Sequence, residues 1–240
     1  MKSRMDSRTS RSGVSIAITA GLLLAAGVAI AVAPTEETMG VAQRILYIHV
    51  SVAWLGLTGF LVMAGCAVAY LFRRNLGWDH WAQSAGELGW VCCTLTLITG
   101  SLWARAAWGT WWTWEPRLLT AFILWALYSG YLLIRGLIGD SHHRARLSAV
   151  VAILGALDVP LVVMATRWFR GIHPVAPSME PSMRIALLLS VAALTSLFAI
   201  LFACRRTQIR IEHLMPQLEN QIDRSLNSTA RPSPTTMSHV

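Results

Sequence analysis

Apolar positions in this chain run in six long blocks separated by short polar breaks. The blocks are Val14–Ala33, Ile45–Phe72, Ser84–Trp103, Leu118–Leu137, Leu147–Ala165 and Ile185–Cys204. Each reaches or approaches the ~20 residues a helix needs to cross a hydrocarbon core. The connections are too short to hold a soluble domain, so the pattern predicts an all-α integral membrane protein, a six-transmembrane-helix bundle. The first block is longer than the ~7–15 apolar residues of a signal peptide, and Ala33-Pro34 is a poor processing site, so it reads as a spanning helix. Two acids fall inside spans, Glu87 and Asp158, and intramembrane acids are costly and generally face the bundle interior. Asp158, just ahead of Pro160, reads either as part of a proton or substrate path or as a protonated partner for carbonyls that the proline frees. After the last block, Ile209–Leu226 mixes polar and apolar residues as a short amphipathic surface helix would. Asn227–Val240 is rich in Ser, Thr and Pro without an apolar period, the composition of a disordered tail. The organisation expected is a basic N-terminal segment 1–13, a membrane domain 14–204 with a tryptophan-rich connection 103–117, and a partly disordered tail 205–240.

Composition agrees: 55% of residues are hydrophobic and 13% charged, against about 25% charged in soluble domains. The net charge of +8 reads as topology, because cytoplasmic segments retain Lys and Arg. With the N-terminus inside, the inner segments carry Lys2, Arg4, Arg8, Arg11, Arg73, Arg74, Arg135, Arg144, Arg146, Arg205, Arg206 and Arg210. The outer ones carry Arg44, Arg105, Arg117, Arg167, Arg170 and Arg184. That is 12 against 6, and Arg224 and Arg231 in the inner tail complete the 20 basic residues. Both termini are then cytoplasmic, and no basic patch remains to argue for a nucleic-acid partner. The four cysteines, Cys66, Cys92, Cys93 and Cys204, form no CxxC pair, which leaves covalent haem attachment and thiol exchange without their motif. They read as buried structural residues.

On this topology three features meet at the outer face: His49 near the start of the second span, the connection between the third and fourth spans, and His173 ahead of the last span. The connection reads Trp103-Ala-Arg-Ala-Ala-Trp108-Gly109-Thr-Trp111-Trp112-Thr-Trp114-Glu115-Pro116-Arg117. Indole is large, flat and amphipathic and prefers the membrane–water boundary. An aromatic belt explains one or two such residues, whereas this density suits a platform for a flat apolar ligand. Histidine is the usual protein ligand of haem iron, while closed zinc sites take four ligands, often with cysteine. Two histidines, no cysteine and much flat apolar surface fit a planar macrocycle better than a bare ion. Glu115-Pro116 also has a local explanation, since proline is favoured at the first helical position and an acid beside it favours the helix dipole. Arg44, Arg105, Arg117, Arg170 and Arg184 are all candidates to pair with carboxylates of such a ligand.

The run Trp108-Gly-Thr-Trp111-Trp112-Thr-Trp114-Glu115 resembles the tryptophan-rich "WWD" signature of haem-handling membrane proteins. Within that superfamily, Arg44-Ile-Leu-Tyr-Ile-His49-Val, six spans and His173 before the last span look like the CcmC family of cytochrome c maturation. The resemblance extends from the first span to the sixth. It implies that His49 and His173 are the axial ligands of a b-type haem held non-covalently and transiently, and that Trp108, Trp111, Trp112 and Trp114 form its platform. Gly109, Glu115 and Arg117 of the same run belong to the implied haem site. It further implies delivery of haem to the periplasmic chaperone CcmE, in an ABC-type complex with CcmA, CcmB and CcmD, in the lipid of the bacterial inner membrane. The role is then delivery rather than an enzymatic cycle. One position departs from the pattern: the family's acid is usually Asp, and Glu115 is longer by a methylene. Two other readings stay open. A haem–apocytochrome ligase of the same superfamily generally carries additional spans and a large periplasmic domain. A non-haem transporter or assembly subunit would use Asp158 as its coupling site.

Overall fold

Each apolar block becomes helix, and several helices extend past their blocks. The computed structural model describes residues 2–36, 39–169 and 179–230. The elements are α1 (Lys2–Val32), α2 (Arg44–Arg73, entered through a single 3₁₀ turn), α3 (Leu76–Trp108), α4 (Pro116–Leu137), α5 (Ser141–Ala156), α6 (Asp158–Trp168) and α7 (Pro181–Ala230). Among the described residues there is no strand, and six helical segments are long and apolar enough to cross a membrane, α5 and α6 together making the fifth.

Several boundaries differ from the hydropathy pattern: α1 already begins at Lys2, and α3 runs to Trp108, so the first half of the expected connection 103–117 is helical. The third span begins at Leu76 rather than Ser84, because Asn75 caps it, accepting from the Gly77 amide at 2.7 Å, and because its polar first turns are paired. Asp79 takes a two-pronged bond from Arg135 of α4, at 2.7 and 2.9 Å. The fifth span breaks at Leu157. Pro160 offers no amide hydrogen to Ala156, and its ring crowds that carbonyl, so the chain restarts a helix with the proline in its first turn. The last span continues as one helix through Ala230, with Pro216 inside it. The amphipathic stretch is therefore an extension of the span, and residues 231–240 lie outside the described residues.

The bundle is organised around α2, the most buried span, whereas α1 is the least buried and packs against α7. Small residues bring α2 and α3 together. A Cβ on Gly59 would lie 3.1 Å from the Gly89 Cα and 3.3 Å from the Ala85 carbonyl, and one on Gly56 would lie 3.3 Å from the Cys93 amide nitrogen. Close backbone approach of this kind stabilises helix pairs in lipid, where burying more leucine brings no gain. One core lies at mid-depth and below, around Phe60, Met63, Tyr128 and Tyr131. A smaller one closes the tryptophan end around Leu46, Tyr47, Trp103, Met183 and Ala186. Cys92 and Cys93 are buried and Cys66 half-buried, but Cys204 is exposed on α7. An apolar side chain facing lipid incurs no desolvation cost, which is why its hydropathy alone misreads it as buried.

Candidate functional site

His49 sits one turn into α2, and its surroundings on α3 define it. The Thr99 hydroxyl donates to the Leu95 carbonyl one turn back, at 2.7 Å. Its oxygen therefore accepts from His49 Nδ1, 3.0 Å away. This arrangement suits a ring proton on Nδ1, the tautomer of a metal-binding histidine oriented by a second partner. Gly100 makes the approach possible, since a Cβ there would stand 3.0 Å from His49 Cε1. Trp103, one turn further along α3, is buried with its ring centroid 6.1 Å from the imidazole. Thr99, Gly100 and Trp103 thus form a cradle for the imidazole.

The imidazole forms part of the wall of a cavity bounded by α2, α3, α4 and α6. About 810 Å³ lies between its atoms, the open mouth included. His49, Trp108, Trp112 and Arg117 surround the upper part, and Ala53, Gly56, Phe60, Cys93 and Leu124 continue it downward. Along α2, the distance from His49 to Phe60 is about 16 Å at the helical rise of 1.5 Å per residue. The cavity therefore reaches well into the apolar depth of the bundle.

The tryptophan run is divided by the turn that carries it. Gly109 ends α3 with φ of +74°, a left-handed cap that a residue with a side chain adopts only under strain. Its amide donates to the Arg105 carbonyl at 3.1 Å, and the Arg105 guanidinium donates to the Gly109 carbonyl. Beyond the turn, Trp112 points into the His49 cavity, while Trp111 and Trp114 are 56% and 72% exposed. These two line a shallow outer groove between α3 and α4, with Leu97, Ser101 and Trp112 shared between groove and cavity. Trp112 also meets Trp114 edge-on at 5.8 Å and Phe122 at 6.4 Å. The stack continues to Trp125 and then Trp90 along α4 and α3. Of the four tryptophans read as a platform, Trp108 and Trp112 share the cavity with His49, and Trp111 and Trp114 face outward.

Glu115 holds the position before α4 without a side-chain cap, and Pro116 opens the helix. The candidate arginines separate cleanly. Arg117 lines the cavity, whereas Arg44 donates to the Ala31 carbonyl at 3.2 Å and Arg184 to the Met179 carbonyl at 3.1 Å. Arg105 is engaged at the Gly109 turn, its guanidinium 5.9 Å from the Trp111 ring centre. His173 and Arg170 lie outside the described residues.

The two intramembrane acids part company. Glu87 accepts from Arg205 of α7 at 2.5 and 3.2 Å and from Gln83 at 2.8 Å, which makes it a brace between α3 and α7. Asp158 is 8% exposed in the first turn of α6, and its Oδ2 has no hydrogen-bond partner. Sequence reading alone missed Thr99, Gly100 and Trp103 as the seat of His49. The one available signal was a Thr-Gly pair inside an apolar helix, and its meaning depends on how α2 and α3 align.

Fold and site together define a multi-pass, all-α membrane protein that presents an oriented histidine and indole surface at one end of its bundle. Comparison with known proteins makes the class specific. The profile of the family described as "Heme exporter protein C" matches residues 3–219, and the chain belongs to this CcmC family. It is similar to heme exporter protein C of Bradyrhizobium diazoefficiens, 33% identical over 187 residues, covering 75% of this chain and 71% of the relative. The Paracoccus denitrificans protein of that name is 32% identical over 197 residues, 78% of this chain and 82% of the relative. A putative cytochrome c biosynthesis ccmC-like mitochondrial protein of Marchantia polymorpha is 28% identical over 184 residues, 74% of this chain and 78% of the relative.

Proposed function

We propose that this chain holds haem as cargo at the outer face of a bacterial inner membrane and presents it to the periplasmic chaperone CcmE during c-type cytochrome biogenesis. The observation that carries the reading is His49, held through Nδ1 by Thr99 in the wall of an apolar cavity beside Trp108, Trp112 and Arg117. The residues suit the cargo. An imidazole ligates iron, indoles offer flat apolar contact, and a guanidinium pairs with a propionate at the aqueous edge. His173, on the connection before α7, is the second axial ligand in this reading. The residues hold and orient haem, which fits delivery within a complex with CcmA, CcmB and CcmD rather than catalysis.

A hand-off assay tests the proposal. Membranes containing the full chain are mixed with purified CcmE, and haem on the chaperone is measured. Trp112, which faces the cavity, separates a haem platform from an interfacial belt. Trp112→Ala is expected to reduce loading about ten-fold at normal abundance, in line with the ~1–3 kcal/mol carried by a stacked aromatic contact, and Trp111→Ala to reduce it less. Equal, undiminished loading in both variants contradicts the proposal.

A further inference from the structure

At the end of the bundle opposite the tryptophans, α3, α4, α5 and α7 enclose a second cavity of different chemical character. About 930 Å³ lies between its atoms, the open mouth included, and His80, Arg135, Ser141, Arg144, His213 and Gln217 are among its walls. Its charges do not balance internally. Arg135 is matched by Asp79. Glu212, the acid that lines the cavity among the described residues, accepts from Arg205 at 3.2 Å. Among the described residues Arg144 has no carboxylate partner, and its guanidinium donates to the Ile138 carbonyl at 3.4 Å.

Donors are also left over. The Nε–H groups of Arg135 and Arg144 are both buried without an acceptor, and the Arg135 side chain is only 6% exposed. The rings of His80 and His213 face each other edge-on, 5.2 Å between centroids. Ser141 opens the 16-residue α5, whose N-terminus is already capped by Asp140, the carboxylate accepting from the His143 amide at 3.1 Å. The Arg144 guanidinium disfavours a cation, and the described residues contain no cluster of three metal-ligating side chains. Orphaned N–H donors and a guanidinium without a carboxylate call for an oxyanion.

We propose that this cavity binds a phosphate oxyanion, supplied by the headgroup of an anionic phospholipid. The lipid source follows from the surroundings. Trp81 lies at this end of α3 with the Arg206 guanidinium 3.9 Å from its ring centre, the mark of a membrane boundary. Basic pockets between helices at a membrane face are a recurring form of headgroup site. A headgroup here would bridge α5 and the extension of α7.

The test uses the full chain in detergent and native mass spectrometry with phosphatidylglycerol or phosphatidylcholine, and separately a thermal-shift titration with inorganic phosphate. The wild type is expected to retain phosphatidylglycerol preferentially. Arg144→Gln is expected to weaken that retention about five-fold, the worth of roughly one basic contact. The double variant His80→Gln/His213→Gln provides a second reading should Arg144→Gln fail to fold. Arg210→Gln, exposed on the same helix, should change nothing. Equal retention of the two lipids with an Arg144-dependent phosphate response assigns the cavity to a soluble anion and overturns the lipid source. Undiminished phosphatidylglycerol retention in both folded cavity variants overturns the site.

Discussion

At the scale of the residue, the proposed chemistry depends on how His49 is held rather than on its presence alone. A ligating imidazole keeps its orientation when its other nitrogen donates to a fixed acceptor, and losing such a partner typically costs 10–100-fold in metal affinity. Thr99 supplies that acceptor because its own hydroxyl hydrogen is committed to Leu95. Thr99→Val, which keeps the shape and removes the oxygen, should weaken haem retention by roughly 10–100-fold, whereas Thr99→Ser should stay near wild type. Haem titration of the two purified variants, followed in the Soret region, checks this. Equal affinity for the two would remove Thr99 from the site. Neither partner is legible in sequence alone. His49 and Trp112 stand out by residue type, but Thr99 and Gly100 acquire meaning only when α2 and α3 are set side by side.

At the scale of the element, hydropathy located all six spans, and its errors fall where polar groups are paired or a proline intervenes. Asp79 and Arg135 made the beginning of α3 look like a loop until they were seen to satisfy each other. Pro160 broke a span that hydropathy drew as continuous. The register of α2 on α3 rests on glycine, and it is this register that brings Thr99 and Gly100 to His49. Gly59→Ala drives a methyl against the backbone of Gly89 and Ala85, a contact that no rotamer change can relieve. Overpacking of this kind costs about 1–3 kcal/mol, so the variant should melt at lower temperature in detergent. Gly65→Ala on the same helix meets nothing within 4 Å, and it should melt at or slightly above wild type, as alanine favours helix. Identical melting of the two would mean that the α2–α3 contact is not tight.

At the scale of the whole molecule, the bundle is polar at two ends with different chemistry: indoles and one oriented imidazole at one, guanidiniums and ion pairs at the other. From the 12-to-6 distribution of basic residues and the positive-inside rule we propose that the second end faces the cytoplasm. Reporter fusions near Arg73 and Arg144 should therefore report cytoplasm, and those near Thr110 and His173 periplasm. The inverted result would put the cavity on the wrong side for a periplasmic acceptor. The one measurement closest to the central claim is the absorption spectrum of the full chain purified with haem, wild type against His49→Ala and His173→Ala. If this pair ligates one haem, each variant shifts the Soret and visible bands and added imidazole partly restores them, while His142→Ala leaves the spectrum as it was. An unchanged spectrum after loss of either His49 or His173 contradicts bis-histidine ligation by this pair.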